Sequence, residues 1–152
     1  MNFDEIFLTT TDTVPGIGTT MTKANLEALY FLKDRIKEKK FIIMVGSIEQ
    51  AQSLKGWSKK ADRLAKKYWP GNVTLSLNEE MAVRMPNSEG LRNLIIKKGP
   101  VYMSSANKSG EDQISLEEAK KVFHEVKETY DFGEGSGIPS TIIRIKDEMK
   151  LR

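Results

Sequence analysis

Apolar residues along the chain occur either in short continuous runs or at helical spacing. Continuous runs are typical of buried strands, and apolar residues three or four apart are typical of amphipathic helices. The runs predict strands over residues 3–8, 41–45, 73–77, 81–85, 101–103 and 141–145. The spaced positions predict helices over residues 23–33, 48–54, 59–68, 88–98 and 116–130. Because helices and strands are interspersed, the pattern predicts an α/β fold with a mixed sheet.

Polar residues mark the expected starts of these helices. Thr22, Ser47 and Ser58 each precede a helical pattern and have the side chains that accept a hydrogen bond from the first turn. Ser115 is followed three residues later by Glu118, which is the spacing of a capping box. The helical boundaries are therefore predicted from local chemistry as well as from periodicity.

Two segments rich in glycine are predicted to be irregular. Pro15, Gly16 and Gly18 argue against a long regular element within residues 9–18. Three glycines fall within residues 131–139, which are predicted to form a flexible loop before the last strand.

Composition narrows the classes of protein. The 152 residues favour a single domain, residues 1–152. There is no cysteine, which excludes disulfides, thiolate zinc sites and cysteine nucleophiles and is compatible with a cytoplasmic location. No run approaches the roughly 18 apolar residues of a membrane span, and the first residues lack the basic start of a signal peptide. The net charge of +3 is small, so any anionic partner must be recognised by local clusters of charge.

Three polar segments are candidates for a functional site, and each also has an ordinary structural explanation. Residues 11–18 could be only a turn that bonds its own hydroxyl groups. Residues 33–40 could be a solvated helix end, where cations oppose the helix dipole. Residues 104–110 could be a polar connection, although loops that follow strands are where open α/β sheets bind ligands.

The basic residues of segment 33–40 can bind one anion together only in a particular backbone geometry. Lys33 and Arg35 are two residues apart, so they do not share a helix face. They can converge on one anion only if the helix ends there and the chain turns.

Other patterns are uninformative or absent. No phosphate-binding loop of the GxxxxGK[ST] type occurs, and the glycines of 131–139 do not match a dinucleotide-binding fingerprint. Acidic residues show no metal-ligand spacing, and the only histidine, His124, is expected to be structural or solvated. A set of lysines on one predicted helix is expected to be its solvated face: Lys59, Lys60, Lys66 and Lys67.

Taken together, six segments resemble motifs of the YrdC family, in the same order along the chain. They are residues 11–18 (PT[ED]TVYGLG), 33–39 (KxRPxxK), 69–75 (WPGPLTL), 83–86 (VRxP), 105–110 (SANxSG) and 139–143 (PSTIV). The chain departs from the family pattern at Thr10, Pro15 and Ile36, and at Met44, where a histidine or polar residue is frequent.

The resemblance implies a twisted open mixed sheet, flanked by helices, with a concave electropositive cavity. It implies a nucleotidyltransferase that converts L-threonine, bicarbonate and ATP into L-threonylcarbamoyladenylate and pyrophosphate. The product would serve the threonylcarbamoyl modification of the adenosine next to the tRNA anticodon. ATP would be a substrate, with Mg²⁺ bound to the nucleotide, and the downstream partner would be the tRNA threonylcarbamoyl transferase machinery.

The resemblance also implies a role for individual residues. The expected threonine-binding residues are Thr11, Thr13, Arg84, Ser104 and Ser140. The expected ATP-binding residues are Lys33, Arg35, Lys39, Ser105, Asn107 and Arg152, of which Lys33 and Arg35 would also be catalytic. No residue is expected to bind a metal directly.

A binding module is the alternative to an enzyme. A basic concave surface could hold double-stranded RNA or tRNA weakly and without chemistry, through phosphate and sugar contacts alone. That alternative gives no purpose to Thr13, Arg84 and Ser140.

Overall fold

A computed structural model describes residues 1–152. The strands are β1 (Ile6–Thr9), β2 (Gly16–Thr20), β3 (Ile42–Met44), β4 (Val73–Asn78), β5 (Met81–Arg84), β6 (Val101–Ser105), β7 (Glu128–Tyr130), β8 (Thr141–Arg144) and β9 (Met149–Lys150). The helices are α1 (Lys23–Lys33), α2 (Ile48–Gln52), α3 (Lys59–Tyr68), α4 (Glu89–Lys98) and α5 (Leu116–Val122). None of these helices combines the length and apolar character that crossing a bilayer requires.

All nine strands form one mixed sheet in the order β7–β1–β2–β6–β3–β5–β4–β8–β9. The pairs β1–β7, β3–β5 and β4–β8 are parallel, and the remaining neighbours are antiparallel. The predicted α/β fold with a mixed sheet flanked by helices is therefore confirmed.

The helices begin where the polar caps predict. Thr22, Ser47 and Ser58 each accept a hydrogen bond from the backbone three residues later. Ser115 and Glu118 form the complete capping box, in which each side chain bonds the other residue's backbone. These interactions lie within four residues of chain, which is why sequence alone predicts them.

The prediction of an irregular segment over residues 9–18 is wrong for its last three residues. β2 begins at Gly16 and pairs with both β1 and β6. The glycines serve close packing: a Cβ on Gly18 would lie 2.8 Å from the carbonyl oxygen of Tyr102. A Cβ on Gly16 would lie 2.7 Å from the sulfur of Met103. A glycine pattern that is typical of loops therefore belongs here to a strand, because the neighbouring strand lies too close for a Cβ atom.

The helix predicted over residues 116–130 is also too long. α5 ends at Val122, and Tyr130 belongs to β7 at the edge of the sheet. Phe123 and Val126 remain in the core as predicted, but the following residues pair with β1. The open edge of β1 thus offers hydrogen bonds that override the helical periodicity. β9, only two residues long, has no signal in the sequence.

The two faces of the sheet are covered differently. Two clusters of buried apolar residues pack one face against α1 and α5 and against α2 and α3. A third, smaller cluster includes Met44 and Met103 and packs the opposite face against α4. Successive strand residues point to opposite faces, so Ile42 and Met44 share the second face while Ile43 packs on the first. A cavity lies on that second face, where Ile42, Met44 and Met103 line it.

Candidate active site

The cavity has a volume of about 240 Å³ and is lined by residues from several strands and the loops between them. Its lining includes the basic side chains of Arg35, Lys40, Arg84 and Arg152 and contains no aspartate, glutamate or histidine. An apolar wall of Ile42, Met44 and Met103 faces these cations. The lining is therefore suited to an anionic ligand with an apolar part.

The structure brings most of the predicted site residues together. Those that line the cavity are Thr11, Thr13, Arg35, Arg84, Ser104, Ser105, Ser140 and Arg152. Three predicted residues do not line it: Lys33, Lys39 and Asn107. Lys40 and Gln113 line it without having been predicted, and neither has a distinctive signal in a single sequence.

The turn after α1 meets the geometric condition stated for Lys33 and Arg35. α1 ends at Lys33, and Asp34 adopts a left-handed conformation with φ 54° and ψ 43°. Lys33 Nζ then lies 2.7 Å from Ser104 Oγ, and Arg35 Nη1 lies 3.5 Å from the same oxygen. The two basic side chains therefore converge on the hydroxyl group of Ser104, although residues at this spacing would not share a face of a continuous helix.

Arg35 is fixed by its own turn. Its Nε donates to the carbonyl of Lys39 at 2.8 Å, and its Nη2 donates to the carbonyl of Lys40 at 2.7 Å. The guanidinium lies 4.7 Å from the ring centroid of Phe41. Burial lowers the pKa of Arg35. Lys39 thus contributes a backbone oxygen to the site, while its side chain stays outside the cavity.

Lys33 is a buried lysine without an acidic partner. It is 1% exposed, and its Nζ donates to Ser104 Oγ and, at 2.6 Å, to the carbonyl of Ser105. None of the salt bridges in the structure includes it. Burial, with a further contribution from Arg35, lowers the pKa of Lys33 to about 7. Of the two hydrogen-bonded residues, Ser104 lines the cavity and Lys33 does not.

Asn107 holds the loop that follows β6. Its Nδ2 donates to the carbonyls of Lys108 and Glu111 at 3.0 and 2.9 Å. Lys108 in turn donates to the carbonyl of Leu32 at 2.6 Å and so closes the C-terminal end of α1. Asn107 Oδ1 is buried and has no hydrogen-bond partner. In this structure the amide therefore organises the loop between Ser105 and α1.

Arg84 is the centre of a second polar group. It is 2% exposed, and its Nη1 donates to Asp12 Oδ1 at 2.7 Å and to the carbonyl of Gly71 at 3.1 Å. Its Nη2 donates to Thr13 Oγ1 at 3.1 Å, while its Nε is buried without a partner. Asp12 also accepts from the backbone of Asn87 at 2.9 Å. Sequence reasoning did not select Asp12, because nothing local links it to an arginine 72 residues away.

Ser140 is held between two other side chains. Its Oγ lies 2.7 Å from Thr74 Oγ1 and accepts from Arg152 Nη2 at 3.0 Å. Arg152 Nε donates to the carbonyl of Ser140 at 2.8 Å. Burial, and secondarily the charge of Arg84, lowers the pKa of Arg152. Thr74 is a further buried residue of the site that the sequence did not reveal.

The glycine loop of residues 131–139 contacts the 11–13 turn directly. Ser136 donates its backbone N–H to the carbonyl of Asp12 at 3.0 Å, and Gly137 donates to that of Thr13 at 2.8 Å. Gln113 Nε2 donates to the carbonyl of Gly137 at 2.8 Å. A Cβ on Gly135 would lie 2.5 Å from the carbonyl oxygen of Thr11, so only glycine fits this approach. The loop therefore packs against the turn that carries Thr13, the hydrogen-bond partner of Arg84.

The side chains form no metal site of their own. No group of three or more His, Asp or Glu residues is close enough to hold a cation, and the cavity lining has no carboxylate. Mg²⁺ prefers oxygen ligands, and carboxylates are its usual protein ligands. The residues of this cavity therefore do not fit Mg²⁺ as a resident cofactor.

Comparisons with known proteins support one family. The family model for Sua5, YciO and YrdC, described as "Telomere recombination", matches residues 1–152. The chain is 29% identical over 170 residues to threonylcarbamoyl-AMP synthase of Bacillus subtilis, covering 97% of this chain and 49% of that protein. It is 30% identical over 156 residues to the enzyme of the same name from Pyrococcus abyssi, covering 90% and 46%.

A solved structure gives the same result in three dimensions. The crystal structure of P. abyssi Sua5 complexed with L-threonine superimposes with a TM-score of 0.81 at 28% identity. The match covers 92% of this chain and 47% of that one. This chain thus spans about half the length of the relatives it matches.

Proposed function

Because the chain belongs to the Sua5/YciO/YrdC family, we propose that its cavity joins L-threonine, bicarbonate and ATP into threonylcarbamoyl-AMP, with release of pyrophosphate. Relatives named threonylcarbamoyl-AMP synthase and a related structure with L-threonine bound support this proposal. The reaction makes the protein a nucleotidyltransferase.

One observation carries the proposal: two separate sets of donors meet in a cavity that contains no carboxylate. Arg84 and Thr13 form one set, and Arg35, Lys40 and Ser105 form the other. An amino acid and a nucleotide triphosphate each need an anion site, and the absence of acidic groups favours both. If these segments were only polar turns, neither the Arg84 set nor the Arg35 set of donors would need to be held in one position.

We assign the threonine carboxylate to Arg84. A guanidinium binds a carboxylate through two parallel hydrogen bonds, and the buried Nε of Arg84 still has its donor to give. Asp12 and Gly71 hold the opposite side of the group, so it cannot turn away. Thr11, Ser104 and Ser140 surround this end of the ligand, while Met44 and Met103 offer a wall to its methyl group.

We assign the phosphates of ATP to the turn after α1. Arg35 and Lys40 line the cavity there, with Ser105 beside them. Lys33 acts from behind Ser104, and Asn107 positions the loop that follows Ser105 at the end of β6. Arg152 completes the nucleotide site next to Ser140. Mg²⁺ that accompanies ATP would be held by the phosphates, since the lining supplies no carboxylate.

The reaction needs positioning and charge more than a protein nucleophile. The amine of threonine captures CO₂, which is in equilibrium with bicarbonate, and forms a carbamate. A carbamate oxygen then attacks the α-phosphorus, and pyrophosphate leaves. Fixed cations stabilise the departing charge because they need no reorganisation during the step. The product is a reactive mixed anhydride, which the tRNA threonylcarbamoyl transferase machinery would consume.

Pyrophosphate release tests the proposal. We expect release to require ATP, L-threonine and bicarbonate together, and to stop when any one of the three is omitted. Release at the same rate without threonine would contradict a synthase. RNA binding without any turnover would instead favour the alternative of a non-catalytic tRNA-binding module.

A further inference from the structure

Lys33 is placed unlike a residue that binds phosphate directly. Its ammonium group is sealed from the cavity, and Ser104 Oγ lies between the two. A lysine that must neutralise a triphosphate would be expected to reach it. The role of Lys33 therefore has to pass through Ser104.

The charged groups around Lys33 favour its neutral form. Arg35, from the following turn, shares Ser104 Oγ with it. Lys108, from the loop after β6, bonds the carbonyl of the residue before it. The neighbouring Asp34 is exposed and makes no ion pair with it. β6 contributes only neutral oxygens, those of Ser104 and Ser105.

A neutral lysine amine has a lone pair that can accept a proton. Burial lowers the pKa of Lys33 to about 7, so a large fraction of the molecules hold the amine at neutral pH. Serine hydroxyl groups both donate and accept, and Ser104 Oγ is 2.7 Å from Lys33 Nζ. The same hydroxyl lines the cavity where threonine is proposed to bind. The pair therefore forms a path for a proton out of the cavity.

We propose that Ser104 and Lys33 form a proton relay for carbamate formation, an inference that rests on the proposed function. The nitrogen of threonine forms a bond to the carbon of CO₂ and loses one proton. That proton passes to Ser104 Oγ while the hydroxyl proton of Ser104 passes to Lys33 Nζ. The products are the carbamate anion and the Lys33 ammonium, so charge is conserved. The new cation lies beside Arg35 before pyrophosphate departs, and Lys33 later returns its proton to solvent.

Ser104 variants test the relay through the dependence of rate on pH. Ser104→Ala is expected to lower kcat about 100-fold, as general acid–base groups typically contribute 10²–10⁴. Ser104→Thr keeps a hydroxyl group and is expected to recover most of that loss. Ser53→Ala, at an exposed serine after α2, is the matched control and should keep full activity.

The pH profile separates a relay from a structural role. The amine of threonine titrates in the same way whichever variant is assayed. Dividing the wild-type rate by the Ser104→Ala rate at each pH therefore removes the contribution of this amine to the pH dependence. We expect this ratio to rise with pH up to about 7 and then become constant. A ratio that stays constant throughout, with both proteins active, would refute the relay and leave the proposed function intact.

Lys33 variants distinguish a proton acceptor from a fixed charge. Lys33→Arg keeps a permanent cation and is expected to be as inactive as Lys33→Met, because neither can accept the proton. If Lys33→Arg retains most of the wild-type rate, Lys33 serves only as a charge and the relay is wrong. If the wild-type protein itself shows no turnover dependent on threonine and bicarbonate, the proposed function fails, and the relay with it.

Discussion

Two segments of this protein carry the same number of basic residues, but the surroundings of these side chains differ. The first segment is the end of α1 with the turn that follows it, and its basic residues are Lys33, Arg35, Lys37, Lys39 and Lys40. The second segment is α3, and its basic residues are Lys59, Lys60, Arg63, Lys66 and Lys67. In the turn, Arg35 is held by two carbonyls and an aromatic ring. In α3, Lys66 is 71% exposed and pairs only with Asp62, one helical turn away.

The difference shows that placement, and not the amount of charge, distinguishes a site from a solvated surface. Exposed charges are screened beyond about 8–10 Å at ordinary salt. Exposed pairs such as Lys66–Asp62 contribute little to stability. A partly buried arginine with its orientation fixed can act on one ligand atom without losing side-chain entropy in the process. Substitutions in the two segments should therefore have unequal effects.

The largest effect is expected for Arg35→Ala. Loss of a well-placed arginine in phosphoryl transfer costs on the order of 10³ or more in rate, so kcat should fall at least that far. The unfolding free energy should fall by about 1–3 kcal/mol, since two hydrogen bonds to backbone carbonyls are lost. Steady-state kinetics and urea unfolding measure the two quantities. Arg63→Ala in α3 is the matched control, and an equal loss of rate there would show that the cations act only as a diffuse field.

Arg84→Lys should have the next largest effect, confined to one substrate. Lysine keeps the positive charge but cannot form two parallel bonds to a carboxylate. A charge-assisted contact contributes roughly 1.5–3 kcal/mol, so threonine affinity should fall about 10- to 150-fold while ATP affinity changes little. Calorimetry with each ligand measures this. Equal weakening of both ligands would mean that Arg84 is structural, through its contact with Asp12.

Lys33→Met should change how stability depends on pH. The pKa of Lys33 is lowered to about 7 in the folded protein, against about 10.4 unfolded. Between these values the unfolded chain binds one more proton, so the wild-type protein gains stability as pH rises. Relative to Lys33→Met, its unfolding free energy should increase by about 1.4 kcal/mol per pH unit from pH 7 to 9. The same slope in both proteins would show that Lys33 is fully charged in the fold.

The smallest effect is expected for the α3 lysines. Replacing Lys59, Lys60, Lys66 and Lys67 together by alanine removes four charges, more than any other variant here. Turnover should nevertheless stay near that of the wild-type protein, and stability should change by about 1 kcal/mol or less. A loss of activity as large as that of Arg35→Ala would reverse the contrast between the two segments.

The sequence predicts this fold best where the causes are local. The starts of α1 and α5 follow from Thr22 and from the Ser115–Glu118 pair, which lie within one turn of the helices they cap. β7 could not be predicted, because its strand conformation depends on the open edge of β1, about 120 residues earlier in the chain. The prediction of a loop at Gly16 and Gly18 is wrong for the same reason, since the close neighbours that require glycine belong to β6.

The same distinction applies to the site. Most of the site residues that the motif resemblance implies line the cavity, but the resemblance does not give the contacts that fix them. Asp12 contacts Arg84 across 72 residues of chain, and Thr74 contacts Ser140 across 66, so both contacts depend on the assembled sheet. The resemblance implies that Lys33 binds ATP, and the fold places this side chain behind Ser104, out of contact with solvent. The burial of a lysine at the end of a polar segment depends on the assembled structure and is not predicted by its neighbours in the sequence.

The most direct test of the proposed function is to identify the product. The protein would be incubated with ATP, L-threonine and ¹³C-labelled bicarbonate, and the nucleotide products analysed by mass spectrometry. We predict threonylcarbamoyl-AMP with one ¹³C atom in its carbamoyl group, formed by the wild-type protein and not by Arg35→Ala. A threonine adduct of AMP without the label, or no new nucleotide at all, would contradict the assignment of this cavity to threonylcarbamoyl-AMP synthesis.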